Sequence, residues 1–247
     1  MGTKRSARGP KHSLGWLDAY LDDSRDLAVG ALLAFPILLA YEIGIFLTRS
    51  RYQNAVEYVV KAPFRRFFGP DAFLITNGLV ILGAAYLLGR LGRTRRLRWE
   101  LAAGVVLEAL LYALLLGRVV GLTLRKVGLA AAAGGPSEGL TIVLALGAGV
   151  YEEVFFRLGL LGTLEWLFAK AAGLPRTWAG ALAVVAGSLV FSAAHYWGIS
   201  PSATFEASGF AFRFLAGVAL STIFLLRGLA VAVYTHAIYD CLLVLLP

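Results

Sequence analysis

Gly149-Val150-Tyr151-Glu152-Glu153-Val154-Phe155-Phe156-Arg157 lies inside one long apolar run, preceded by Leu140 to Ala148 and followed by Leu158 to Gly162. A charged side chain at the centre of a bilayer costs about 2.5–3.5 kcal/mol on insertion scales, whereas each Leu, Ile, Val or Phe returns only about 0.3–0.6 kcal/mol. The run can insert, but its charges need partners. On a helix Glu153 and Arg157 are i,i+4 in the acid-first order that favours pairing. Glu152 projects roughly 100° away from that pair. An intramembrane carboxylate outside the local ion pair is a candidate functional group.

The surrounding composition fits a membrane setting. Of 247 residues, 59% are hydrophobic and 15% charged, against about 25% charged in soluble domains, and the mean hydropathy is +0.74. The expected fold is all-α: a polytopic transmembrane helix bundle of about seven spans plus interfacial helices. Residues 1–26 read as a basic arm and interfacial segment, 27–137 as a three-span membrane region, and 138–247 as the core that holds the charged run. The arm to residue 13 is expected to be disordered, with His12 solvated and no cleavable signal, and 14–26 form a short interfacial helix. Spans are expected at 27–48, 71–91, 99–120, 138–172 (too long for one straight crossing, hence tilted or broken), 176–196, 207–226 and 229–246. A surface helix is expected at 55–68 and a surface segment and loop at 121–137. Glu42 and Glu108 are further acids within spans; Glu42 reads chiefly as a structural partner, and Glu108 has no sequence-local cation.

The net charge of +8 is distributed in short segments at the ends of apolar runs. That pattern suits anionic headgroups and topology control, and argues against a nucleic-acid partner. Basic residues in the arm and in Arg90 to Arg98 outnumber those in Arg49 to Pro70, which favours a cytoplasmic N-terminus. A single cysteine, Cys241, excludes an intrachain disulfide and a cysteine-built metal site. No fixed-period repeat supports an inverted-repeat transporter.

The chain holds three histidines, and two of them lie in apolar spans. His195 ends one span; His236 and Asp240 are i,i+4 on another; the Glu152–Glu153 pair is on a third. Each helix must hide these polar faces from lipid, so packing brings them together. Arg213 is a further counter-charge candidate.

Glu152-Glu153-x-x-x-Arg157, Phe191-x-x-x-His195 and His236-x-x-x-Asp240, in this order on separate spans, resemble the CPBP family of CAAX proteases and bacteriocin-processing enzymes, which includes the type II CAAX prenyl endopeptidases. The resemblance covers Glu138 to the C-terminus. It implies an intramembrane endopeptidase in which Glu152 and His195 activate water, His236 and Asp240 stabilise the oxyanion, and Glu153 and Arg157 support the site or position substrate. Such chemistry needs a base held in a dry site and preorganised oxyanion donors. No cofactor is favoured. The alternative is one divalent metal such as zinc on Glu152, His195 and His236, but the spacing lacks the single-helix His-Glu-x-x-His arrangement. An ionised Asp240 only accepts hydrogen bonds, so it either stays protonated or holds His236 as a donating imidazolium.

Other classes remain open at this stage: a proton-coupled transporter using Glu42, Glu108, Glu152 and His195, a non-proteolytic membrane scaffold or immunity protein, or polar residues that only join helices. The expected partners are the lipid bilayer and a peptide or membrane-protein substrate, and the expected location is a prokaryotic cell membrane.

Overall fold

A chain this apolar satisfies its backbone polar groups in lipid only as helices or as a closed barrel. The computed structural model describes residues 15–48, 55–69, 72–92, 98–126, 138–196 and 205–245, and the regular structure among them is helical. In order these are α1 (Gly15–Arg25), α2 (Leu27–Thr48), α3 (Ala55–Phe68), α4 (Ala72–Gly92), α5 (Trp99–Lys126) and α6 (Glu138–Gly147). Helix α6 continues without a break into a π-helix, π1 (Ala148–Leu161), then α7 (Gly162–Trp166) and a short π2 (Leu167–Ala171). The chain ends with α8 (Arg176–Ala194), α9 (Ala207–Arg227) and α10 (Leu229–Leu245). Among the described residues, five stretches are long and apolar enough to cross a membrane: Leu27–Thr48, Trp99–Leu122, Gly139–Ala171, Arg176–Ala194 and Ala207–Arg227. Two shorter apolar helices, Ile75–Arg90 and Leu229–Leu245, stand where the other two spans are expected. The arm with His12, most of the basic run after α4, and residues 127–137 lie outside the described residues.

Helix boundaries follow local chemistry. Asp26 Oδ1 accepts the backbone N–H groups of Ala28 (3.0 Å) and Val29 (3.1 Å), an N-cap that starts α2. Gly228 separates α9 from α10 at φ 85°, and a Cβ there would meet Ser24 O at 2.9 Å and Arg25 Cα at 3.0 Å, so the end of α1 docks onto this turn. Helix α5 shows how an apolar helix divides its faces: Leu101, Val105, Ala109, Ala113, Leu116 and Val120 are buried, whereas Leu107, Leu111, Leu114 and Leu115 point outward to the lipid zone. The 138–171 stretch, expected to be tilted or broken, is one continuous helical rod with altered bonding.

Helix α10 is the axis of the bundle. It packs against α2, α5, α6, π1 and α9, and Ala230, Ala232 and Ala237 let neighbouring backbones come close. Its first turns join Val29, Leu33, Leu101 and Val105 on one side and Ala34, Ile37 and Val150 on the other.

The cation that Glu108 lacks in its own sequence neighbourhood is Arg227. Its Nε donates to Glu108 Oε1 at 2.5 Å and its Nη2 to Oε2 at 2.9 Å, a two-pronged contact, while Nη2 also donates to Ser24 Oγ at 3.0 Å. Tyr20 donates to Glu108 Oε2 at 2.5 Å, and burial, then that carboxylate, push its phenol above the usual range. Arg213, a counter-charge candidate from the sequence, donates to the Tyr196 hydroxyl at 3.0 Å.

Removing one member of the Glu108–Arg227 pair leaves a charge stranded in the bundle. Glu108→Leu is expected to lower stability by about 2–4 kcal/mol, below the full range for wholly buried pairs because the carboxylate keeps some exposure. Glu108→Leu/Arg227→Leu is expected to cost less than Glu108→Leu alone, as read by thermal unfolding in detergent micelles.

Candidate active site

Residues 148–161 form π1, whose i→i+5 bonding is rare in proteins and concentrates at functional sites. Partition between lipid and core sets its orientation. Val154, Phe155 and Leu158 face outward, while Gly149, Glu152, Glu153, Phe156 and Arg157 are buried. Both carboxylates and the guanidinium therefore point into the bundle. At Gly149 an added Cβ would lie 2.7 Å from Ala237 Cβ and 2.9 Å from Val233 O. The absence of that atom lets α10 lie directly on π1, one turn before the acids and beside His236.

Glu153 is the centre of the cluster and is 0% exposed. Its Oε1 accepts the Nδ1–H of His236 at 2.7 Å and lies 2.9 Å from Arg157 Nη1. The i,i+4 pair expected from sequence is present, and it is shared with an imidazole 83 residues away in the chain. Arg157, 1% exposed, lies with its guanidinium carbon 4.5 Å from the centre of the Phe191 ring, an arrangement that combines stacking with cation–π attraction. Its Nη1 contact with Glu153 is an ion pair outside hydrogen-bond angles, and Nε and Nη2 have no hydrogen-bond partner among the described residues. The packed aromatic ring and one carboxylate oxygen thus hold the entire guanidinium.

With Nδ1 engaged by Glu153, the opposite edge of His236 is left for chemistry. Nε2 lies 3.4 Å from Asp240 Oδ2 and 3.9 Å from Glu152 Oε2. The first is a hydrogen-bond distance; the second is wide for a direct bond. Asp240, one turn further along α10, is the most exposed member, with 31% of its side chain accessible. His195 caps the end of α8, where its Nδ1–H donates to the Phe191 carbonyl at 2.9 Å, satisfying one of the carbonyls a helix terminus leaves open. That bond leaves Nε2 as the acceptor nitrogen. The Phe191 ring meets His195 at 4.9 Å and His236 at 6.4 Å between centroids, both edge-to-face.

Glu152, Glu153, Arg157, His236 and Asp240 are thus brought into direct range, and His195 stands beside them across Phe191. Nothing in the sequence marks Phe191 as the shared wall, since its ring contacts to Arg157, His195 and His236 arise only when the helices pack. Among the described residues no three His, Cys, Asp or Glu are grouped so as to hold a metal ion. Glu42 meets Tyr151 and the cation of α3 at a separate cluster. Lys61, assigned from sequence to a surface helix, is buried there.

Residues 137–242 match the family model described as type II CAAX prenyl endopeptidase Rce1-like, so this stretch is similar to that family's domain. No curated protein and no solved structure matches the chain. All six residues singled out above lie within the matched stretch, whereas α1 to α5 lie outside it.

Gly149→Ala separates close approach from helix propensity. Alanine favours helix over glycine by about 0.5–1 kcal/mol, yet overpacking against Ala237 and Val233 costs about 1–3 kcal/mol. A net loss of thermal stability is expected, with Gly149→Leu worse. Raised stability in Gly149→Ala would contradict the contact.

Proposed function

We propose that this protein is an intramembrane endopeptidase that hydrolyses a peptide bond near the membrane surface. The observation that carries the reading is the His236 ring, anchored at Nδ1 by buried Glu153 and facing Glu152 and Asp240 with Nε2. A ring held in this way has a fixed tautomer and direction, as a general acid or oxyanion donor requires.

In this mechanism Glu152, with His195, takes a proton from water as the water oxygen bonds to the scissile carbonyl carbon. Negative charge develops on the carbonyl oxygen. Because Nδ1–H is committed to Glu153, Nε2 donates to that oxygen only when it also carries a proton, and Glu152 and Asp240 balance the charge of the imidazolium. The carbon–nitrogen bond then breaks, and the proton held by Glu152 passes to the leaving amine. Atoms and charge balance with water as the sole co-reactant. Asp240 therefore acts by its charge on His236, not as the oxyanion donor. Arg157 supports the anchor by sharing Glu153 Oε1.

The substrate is a peptide or a membrane-protein segment reached from the bilayer, in a prokaryotic cell membrane, and the mechanism assigns no step to a metal. The divalent-metal alternative on Glu152, His195 and His236 is separated by its own arm of the test below.

The test compares new peptide termini in membranes containing wild-type protein or Glu152→Gln, with and without chelator, alongside a farnesylated CAAX reporter peptide. Glu152→Gln is expected to lower cleavage by at least about a hundredfold, the scale of general base catalysis, and chelator to leave wild-type cleavage intact. Identical termini in both membranes would sink the proteolytic reading; chelator-sensitive cleavage would move it to the metal form. Asp240→Asn is expected to keep substantial cleavage.

A further inference from the structure

A second buried polar cluster lies outside the matched domain and reaches into it at one residue. Glu42 on α2, Glu57 and Lys61 on α3, and Asn77 on α4 are all buried. Lys61 donates to both Glu57 and Asn77 and has its Nζ 3.8 Å from Glu42 Oε1. Tyr41 donates to Glu57. The other side of Glu42 Oε1 accepts the hydroxyl of Tyr151 at 2.5 Å. The Tyr151 ring meets Tyr41 edge-to-face at 5.7 Å, and Lys61 Nζ lies 5.5 Å from its centre. Tyr151 is therefore gripped at its hydroxyl, its ring edge and its ring face by groups from α2 and α3.

Adhesion alone is a weak account of so many buried ionisable groups. Interhelical hydrogen bonds in membranes average about 0.6 kcal/mol, whereas each buried ion carries a desolvation cost of several kcal/mol. What the grip does is mechanical. Tyr151 immediately precedes Glu152, so any rotation of π1 about its axis moves the tyrosine and both acids together. Contacts from three directions on Tyr151 block that rotation. On the α10 side, Gly149 and the Glu153–His236 bond hold the segment from the opposite flank.

We propose that Glu42, itself held by Lys61, is a positioning residue that sets the direction of Glu152 and Glu153 through Tyr151, so that the helices before the Rce1-like domain form part of its active-site support. The catalytic half of this statement rests on the proteolytic reading above. Glu42 touches no reacting atom; its effect passes through Tyr151 and the π1 backbone.

The experiment uses the full chain in detergent micelles with three variants. Tyr151→Phe keeps the ring and loses the donor, Glu42→Leu loses the acceptor, and Glu42→Gln keeps an acceptor oxygen. Two readouts are taken: kcat and KM on a quenched-fluorescent farnesylated CAAX peptide, and amide hydrogen exchange across residues 148–157. Tyr151→Phe and Glu42→Leu are expected to lower kcat about tenfold or more at unchanged KM, the scale of a small misplacement of catalytic groups, and to speed exchange in that segment. Glu42→Gln is expected to restore both. Wild-type kcat and exchange in Tyr151→Phe would overturn the proposal, as would a loss of kcat that merely tracks the folded fraction. If the wild-type chain cleaves no peptide, the proteolytic reading falls, and exchange at 148–157 still decides by itself whether the grip on Tyr151 governs the segment.

Discussion

A single carboxylate oxygen, Glu153 Oε1, receives His236 from one side and Arg157 from the other, and the placement of every other group in the site depends on it. Moving an ion from water into a low-dielectric interior costs several kcal/mol after relaxation. Inside an apolar bundle a carboxylate is tolerated when cations meet it at short range, so the need for partners decides how helices are turned. Arg157 lies on the same helix and comes without further folding. His236 does not, and its bond to Glu153 requires α10 to lie against π1 with a defined rotation. Gly149 and Ala237 make that approach sterically available.

The same constraint separates the roles of two neighbouring acids. Glu153 is enclosed, with Oε1 already shared between the His236 hydrogen bond and the Arg157 ion pair. Glu152 projects from the helix in a different direction, and its Oε2 stands 3.9 Å from His236 Nε2. Adjacent residues on one helix cannot have the same surroundings. The sequence pair Glu-Glu is thus converted by helix geometry into one group bonded to Nδ1 of the ring and one facing its Nε2 edge.

Much of the architecture was legible because hydropathy is a local property. The apolar helices and the break between α9 and α10 at Gly228 follow from runs of apolar residues and the segments between them. The Glu153–Arg157 pair was legible for the same reason, being four residues apart. What the chain did not reveal were partnerships across long separations: His236 with Glu153, Arg227 with Glu108, and Lys61 with Glu42. Lys61 was assigned to a surface helix because α3 is short and carries Arg65 and Arg66, yet its buried face meets acids from α2 and its own preceding turn. Arg213, a counter-charge candidate from the sequence, meets Tyr196. The π bonding of 148–161 had no signature, since a segment apolar on most sides gives no periodicity that distinguishes one helical pitch from another.

Lipid chains are as apolar as leucine, so burial alone does not tell one helix which neighbour to choose. The polar ties supply that choice here. Glu108 with Arg227 joins α5 to the α9–α10 turn and, through Tyr20, to α1; Glu42 with Tyr151 joins α2 to π1; Glu153 with His236 joins π1 to α10. The second and third ties share π1, so α2, π1 and α10 are linked in series by polar contacts through an otherwise unspecific apolar core. Exposure then rises in one direction along the site, from Glu153 at 0% of its side chain, through His236 at 6%, to Asp240 at 31%. A water molecule or polar backbone entering this cluster meets Asp240 first and Glu153 last. That order keeps Glu153 dry, which strengthens its hold on the imidazole, while Nε2 of the ring stays next to Asp240, the most accessible of the three acids.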